Sequence, residues 1–158
     1  PPAAFAVTLV AATAPGADEL ITCPEEPLKD AVKQLTHGKG VDVIDAPVGG
    51  DFTEQALRAM GWNGRHLIIG FAAGDIPKIP ANLTLLKGCS VVGVFWGSFT
   101  QREPEASAQN MMELMKLSAE GKIDPKIRAV YDFEDYAEAL GALTGRKATG
   151  KVVLKVGS

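Results

Sequence analysis

Short apolar runs alternate with amphipathic segments along this 158-residue chain. The runs that read as strands lie at residues 5–12, 19–23, 41–44, 65–69, 90–95, 127–131 and 152–156. Between the second and third runs, Leu28, Ala31, Val32 and Leu35 recur at the spacing of one helix face. Strands that alternate with helices in this way predict an α/β domain with a mostly parallel sheet.

Capping and periodicity place the remaining helices. Asp51, followed three residues later by Glu54, predicts a capping box for a short helix that ends before Gly61. Residues 75–87 contain several helix breakers and are expected to stay irregular. Pro104 opens the longest helix, whose buried stripe is predicted to be Ala108, Met111, Met112, Met115 and Ala119. Asp132 is expected to cap a last helix with Phe133, Tyr136, Ala137 and Leu140 facing inward.

Composition excludes several classes of protein. Hydrophobic residues make up 46% of the chain, charged residues 22%, and the net charge is −3, with no basic run. These values are typical of a globular domain and argue against nucleic-acid binding. No apolar stretch reaches the roughly 18 residues of a membrane span. The first residues lack the basic start of a signal peptide, and Cys23 and Cys89 are expected to be reduced thiols, so we expect a cytoplasmic location.

Loops rich in small residues follow three predicted strands, at 46–50, 70–74 and 95–98. In an open parallel sheet the carboxyl ends of the strands meet at one edge, where ligands bind. Small residues there let a flat ligand approach the backbone N–H and C=O groups. The glycine-rich turn that holds a dinucleotide pyrophosphate, G-x-G-x-x-G between a strand and a helix, is absent: residues 11–16 read AATAPG.

Four segments carry a resemblance: GKGVDVIDAPVGG (38–50), GRHLIIGFAAG (64–74), IPANLTLLKGCSVVGVFWG (79–97) and RKATGKVV (146–153). They resemble the C-terminal half of the quinone oxidoreductases, which are zinc-independent, NADPH-dependent members of the medium-chain dehydrogenase/reductase superfamily. The match runs from about Gly16 to the end of the chain. Family members are much longer; their N-terminal catalytic domain and their glycine-rich loop have no counterpart here.

The resemblance implies a Rossmann-like parallel sheet with helices on both faces, incomplete at its N-terminal end, plus a C-terminal helix–strand appendage. The nucleotide-binding domain would occupy residues 1–125, and residues 126–158 would return to the catalytic domain. The resemblance implies that NADPH is the cofactor, with no metal, and that a quinone or related unsaturated carbonyl is the substrate. It implies a homodimer formed through the strand from Ser90 to Phe95. The implied cofactor-binding residues are Pro47, Val48, Gly49, Gly70, Phe71, Ala72, Ala73, Val94, Phe95, Trp96 and Lys147.

The sequence nominates no general acid or base, because in this family hydride passes directly between two ring systems that the protein positions. His37 reads as a solvated residue at a helix end, His66 as a hydrogen-bonded structural histidine, and Cys89 as a small buried hydrophobe. Asp45 ends a strand in the predicted cleft, where a ribose contact and a turn role are equally open. Two other functions stay open as well: a non-catalytic dimerising or nucleotide-binding module, and another zinc-free reductase of the superfamily, such as an enoyl reductase.

Overall fold

The computed structural model describes residues 5–6, 19–21, 27–125, 127–145 and 150–157. Strands β1 (Phe5–Ala6) and β2 (Glu19–Leu20) come first. They are followed in order by α1 (Leu28–Leu35), β3 (Val41–Ala46), α2 (Phe52–Ala59), β4 (Met60–Ile68), α3 (Ala81–Lys87), β5 (Ser90–Gly93), α4 (Trp96–Arg102), α5 (Pro104–Ala119), β6 (Ile127–Asp132), α6 (Tyr136–Thr144) and β7 (Lys151–Lys155). The chain forms two compact units, residues 1–96 and residues 97–158.

Every strand pairing that the structure describes is parallel, which confirms the predicted α/β class. In the first unit β3, β4 and β5 form a sheet in that order, and β1 pairs with β2. Ile44 of β3 lies beside His66 of β4, which lies beside Val91 of β5. Residues 7–12 and 22–23 of the first two predicted strands lie outside the described residues.

The core of the first unit lies between helices α1–α3 and the sheet. One cluster joins α1 and α2 to β3 through Leu28, Val32, Val41 and Ala56, among others. A second joins α2 and α3 to β4 and consists of Leu57, Met60, Leu83 and Cys89, with Ile44, Ile79 and Val91 packed against it. Burial of one large aliphatic side chain stabilises the fold by roughly 1.5–3 kcal/mol. These two clusters therefore fix the sheet whose carboxyl edge carries the predicted site.

Strand β4 begins five residues earlier than the sequence predicts, because its first half contains a bulge. The register jumps between Val41, paired with Met60, and Val43, paired with Arg65. Within this bulge Asn63 has φ +59°. A Cβ at Gly64 would lie 2.6 Å from the Met60 Cε and 3.0 Å from the Val41 carbonyl oxygen. The Met60 Cε is the end of a flexible side chain, but the Val41 oxygen belongs to the backbone, so a side chain at residue 64 would require the strands to shift. A glycine-rich bulge of this kind interrupts the run of apolar residues by which a strand is recognised in the sequence.

Three local predictions for the first unit are wrong. Asp51 is in helical conformation without a capping hydrogen bond, and Glu54 pairs with Arg58 instead, so no capping box forms. Residues 81–87 form helix α3, with Pro80 at its start and Gly88 in left-handed conformation at its end. The strand predicted over residues 90–95 ends at Gly93, and Val92 is 38% exposed.

In the second unit, β6 and β7 form a two-stranded parallel sheet joined by α6. Helix α5 begins at Pro104 as predicted, but its predicted stripe is not buried: Met111, Met112 and Met115 are 48%, 64% and 66% exposed. The inward face predicted for the last helix is wrong too. Phe133, Tyr136, Ala137 and Leu140 are exposed, Ala139 is the residue that α6 buries, and Asp132 makes no side-chain cap. Helical spacing identifies an apolar face correctly, whereas burial also needs a second layer.

None of the helices in the described part of the chain is long and apolar enough to cross a membrane.

Candidate functional site

The candidate site lies at the carboxyl edge of the β3–β5 sheet, where the segments that follow the three strands come together. We define loop A as residues 46–50, after β3, and loop B as residues 69–75, after β4. The third predicted loop is only partly a loop, because Trp96 already begins helix α4. Parallel pairing of the three strands places all three segments at the same edge.

Backbone hydrogen bonds tie loop A to loop B. The Ala72 amide donates to the Pro47 carbonyl at 3.0 Å, and the Ala73 amide donates to the Val48 carbonyl at 2.9 Å. The Gly50 amide donates in the opposite direction, to the Asp75 carbonyl at 3.2 Å. These bonds make the two loops one preformed wall, and they already use the N–H groups of Ala72 and Ala73. A ligand at this edge would therefore have to meet other backbone groups and the side chains.

Glycine is required where the two loops touch. Gly49 is buried with φ +73°, and a Cβ there would lie 2.9 Å from the Phe71 Cδ1 and 3.3 Å from its Cα. Gly50 has φ +58°, and its Cβ would lie 3.2 Å from the Ala73 Cβ. The double glycine thus serves close packing of the protein against itself, and not only approach of a ligand.

Apolar side chains stand exposed around this wall. Val48 and Phe71 are 38% and 39% exposed, and Val94, which donates its amide to the Ile68 carbonyl at 2.9 Å, is 37% exposed. Phe95 and Trp96 are 78% and 50% exposed. Five exposed apolar side chains therefore stand on the segments that follow the three strands, where a ligand of an open parallel sheet binds.

The structure brings together ten of the eleven predicted cofactor-binding residues on these segments of the first unit. Pro47, Val48 and Gly49 lie in loop A, Gly70, Phe71, Ala72 and Ala73 in loop B, and Val94, Phe95 and Trp96 follow β5. Lys147 lies outside the described residues. Asp45 lies at the end of β3 with an exposed side chain, as expected for a residue of the cleft.

Sequence reasoning missed two exposed residues, one at the start of loop B and one directly after its end. Ile69 was expected inside the strand, but the strand ends at Ile68 and Ile69 is 42% exposed. Ile76 is 75% exposed, just beyond the Asp75 carbonyl that ties the loops. The sequence carried a sign of Ile76: an irregular surface loop does not explain isoleucine among the prolines and charged residues of 75–80.

The second unit contains a different concavity, of about 500 Å³, between α6 and the β6–β7 sheet. Its lining residues are Arg128, Ala129, Tyr131, Glu138, Gly141, Ala142 and Val152. None of the predicted site residues lines it. Its walls are open where Gly141 has no neighbouring atom within 4 Å of a Cβ position, which is typical of an incompletely covered helix–sheet layer.

Metal-binding chemistry is limited in the part of the chain that the structure describes. No three His, Cys, Asp or Glu side chains there are grouped so that they could hold a metal ion. Cys89 is buried in the apolar cluster beside Leu57 and Leu83, as the sequence predicts. The described residues therefore do not fit a zinc ion.

Comparison with known proteins identifies the family. Residues 15–154 match the family model of the zinc-binding dehydrogenases. The quinone oxidoreductase-like protein 2 homolog of Nematostella vectensis is 40% identical over 140 residues, which are 88% of this chain and 38% of that protein. The crystal structure of an NAD-dependent alcohol dehydrogenase is 29% identical and superposes with a TM-score of 0.77, over 90% of this chain and 39% of that one. A mycobacterial structure complexed with NADPH is 25% identical, with a TM-score of 0.78 over 89% of this chain and 44% of that one.

These similarities extend over nearly the whole described sheet, and the chain spans about two fifths of the length of such curated relatives. The superpositions confirm the Rossmann-like fold that the four sequence segments implied. The resemblance to quinone oxidoreductases is confirmed as well, and the chain belongs to the zinc-binding dehydrogenase family.

Proposed function

We propose that this chain is the nucleotide-binding part of an NADPH-dependent oxidoreductase that reduces quinones or related unsaturated carbonyl compounds. The observation that carries the proposal is the wall formed by loops A and B, with Val48, Phe71 and Val94 exposed beside it. Two similarities support it: the Nematostella relative is named a quinone oxidoreductase-like protein, and the mycobacterial structure was determined with NADPH.

The nicotinamide end of the cofactor fits the residues present. A Cβ at Gly74 or Gly93 would have no atom within 4 Å, so the backbone is open to a flat ring on both sides of the edge. Phe71 and Val48 would pack against the nicotinamide and its ribose, and Val94, Phe95 and Trp96 would lie near the carboxamide. When bound, the nicotinamide supplies a hydride. The chain's own residues hold the ring against an apolar wall and exclude water from one of its faces.

Zinc, which the family's name suggests, has no place in this proposal. The described residues do not fit it, and no reaction step is derived through it. No side chain at the edge is assigned as a general acid or base.

The proposal is tested by titrating the chain with NADPH and with NADH and following the cofactor's fluorescence. Val48→Arg places a charge on the apolar wall and is expected to weaken NADPH binding at least tenfold. Leu85→Arg is the matched control. Leu85 is 79% exposed near the end of α3, which runs back to the opposite edge of the sheet, so this variant should bind as the unaltered chain does. Equal binding by both variants would refute the proposed site.

Two alternatives are separated by the same titration. Absence of binding at millimolar NADPH, with a folded chain, would favour a non-catalytic module. The chain could instead bind NADPH without reducing quinones. Reduction of an enoyl thioester once the rest of the enzyme is supplied would then favour an enoyl reductase. A preference for NADH would overturn the choice of cofactor.

We further propose that residues 126–158 belong with the catalytic domain of the complete enzyme and not with the nucleotide-binding domain of residues 1–125. Two-stranded sheets are marginal alone, and Val130 and Val153, paired side by side on β6 and β7, are 61% and 37% exposed. In the isolated chain the β6–β7 amides should therefore exchange hydrogen faster than those of β3 and β4. Equal protection of both sheets would contradict this assignment.

We also propose a homodimer through the strand from Ser90 to Phe95. Strand β5 is at the edge of the described sheet, with Val92 38% exposed, and an apolar edge strand is prone to pair with another chain. Sedimentation should show a dimer that Val92→Lys dissociates; a monomer at micromolar concentration would refute it.

A buried free thiol at Cys89 suits the reducing cytoplasm, and cell fractionation would test that location.

A further inference from the structure

His66 lies in the middle of the sheet, on the face covered by helices. It is on β4, between Ile44 of β3 and Val91 of β5 in the parallel register. Ile44 and Val91 both pack against the cluster of α2 and α3 that contains Leu57 and Leu83. Register partners in a parallel sheet point to the same face, so the imidazole is directed into this apolar layer.

The imidazole has no polar partner there. His66 is 0% exposed, and neither Nδ1 nor Nε2 has a hydrogen-bond partner among the described residues. The sequence predicts a hydrogen-bonded structural histidine, and the structure contradicts that prediction. Burial lowers the pKa of His66 below its ordinary value of 6.5. A neutral imidazole is tolerated in this layer, whereas an imidazolium would be an unpaired buried charge.

Charged groups on the neighbouring elements do not offset this cost. Burial is the cause that acts on the pKa of His66. The titratable groups on the elements packed around it are Asp42 and Asp45 of β3, Glu54 and Arg58 of α2, Arg65 of β4, Lys87 of α3, and Cys89 just before β5. Of these, Glu54 and Arg58 pair with each other on the exposed side of α2, and the Lys87 ammonium donates to the Met60 carbonyl at 2.6 Å.

The same layer is connected to the candidate site. Two residues separate His66 from Ile69, where loop B begins. Helix α2 starts directly after loop A, and the Thr53 amide in its first turn donates to the Gly50 carbonyl at 3.1 Å. If α2 leaves the sheet, loop A loses its anchor at one end. The bonds from Ala72 and Ala73 to loop A then have no fixed acceptors.

We propose that His66 is an acid-sensitive switch: its protonation expels the imidazole from the layer beneath α2 and α3 and releases loop A from loop B. The switch needs no cofactor, and it goes beyond the proposed oxidoreductase activity. Above neutral pH the imidazole is neutral and the wall stays assembled. As the pH falls through 6.5, the unfolded or opened chain takes up a proton that the closed chain does not, so the closed form is progressively disfavoured.

The first test measures the unfolding equilibrium constant by urea titration at pH 7.5 and pH 5.0. Because the closed form excludes one proton that the unfolded chain binds, the unfolding equilibrium constant should rise by up to about thirtyfold at pH 5.0. His66→Leu places an apolar side chain of similar size in the layer and removes the titrating group, so this variant should not show the thirtyfold loss. His37→Asn is the matched control, because His37 is exposed with φ +51° and asparagine tolerates that conformation. Wild type and His37→Asn should respond alike; a His66→Leu chain that loses as much as they do would overturn the proposal.

The second test uses the unaltered chain and does not depend on whether the variant folds. The His66 Cε1 proton should keep its neutral chemical shift in the folded chain as the pH is lowered. The protection factors of the Ala72 and Ala73 amides should fall with the population of closed chain. A folded-state titration of His66 near 6.5, or amides of loop B that stay protected while the α2 amides open, would refute the switch.

Discussion

Substitution of Gly49 by alanine tests the close contact of loops A and B directly. Gly49 has φ +73°, where an alanine costs roughly 1–2 kcal/mol more than glycine. The added Cβ would also lie 2.9 Å from the Phe71 Cδ1 and 3.3 Å from its Cα. The ring can rotate away, but the Cα belongs to the backbone, and overpacking of this kind costs typically about 1–3 kcal/mol. Gly49→Ala should therefore destabilise the chain by about 2–5 kcal/mol.

Gly38→Ala separates the two contributions. Gly38 has φ +81°, close to that of Gly49, but no atom lies within 4 Å of its Cβ position. This variant should incur only the backbone cost, about 1–2 kcal/mol. The measurement is urea unfolding followed by circular dichroism for both variants. Equal destabilisation would show that loop B does not press on Gly49, and the argument for a preformed wall would fail.

Three further substitutions test the packing. Leu57→Ala removes a side chain with 0% exposure between α2 and the sheet, and thermal unfolding should show a loss of about 2–5 kcal/mol. Glu54→Gln removes the charge from an exposed pair with Arg58 at 2.6 Å and should cost no more than about 0.5 kcal/mol in a urea titration; a larger loss would show that this pair is more than a solvent-screened surface contact. Met112→Gln, at a residue 64% exposed, should leave the melting temperature of this chain within about 2 °C of the unaltered chain, whereas a core position would lower it well beyond that.

Local patterns predicted the helices and strands of this chain better than they predicted which residues pack around them. The 3,4 spacing of Leu28, Ala31 and Val32 was sufficient for α1, and Pro104 marked the start of α5. Helix α3 was missed, because its residues follow a segment rich in prolines and its length is only seven residues. Helix α4 was missed because residues 95–98, which include Gly97 and Ser98, read as a loop after the strand.

The candidate site divides in the same way. Small residues at strand ends, and four segments with a family resemblance, were enough to name loops A and B from the sequence. The hydrogen bonds from Ala72 to Pro47 and from Ala73 to Val48 were not predictable. They depend on the register of β3 against β4 and on the path of the chain after each strand ends. For that reason the sequence assigned Ala72 and Ala73 only a cofactor-binding role, whereas in the structure their N–H groups hold loop A.

By itself, the sequence determined the α/β class, the succession of strands along the chain, the edge of the sheet at which the loops gather, and the family. These follow from local periodicity, turn chemistry and motif spacing, which act within a few residues. The tertiary structure decided which apolar faces are covered. Met112 and Leu57 both lie on apolar helix faces, yet only Leu57 has a sheet opposite it. The structure also decided that His66 is buried with no polar partner among the described residues, because burial and hydrogen bonding are set by residues distant in the chain, and no local pattern contains them.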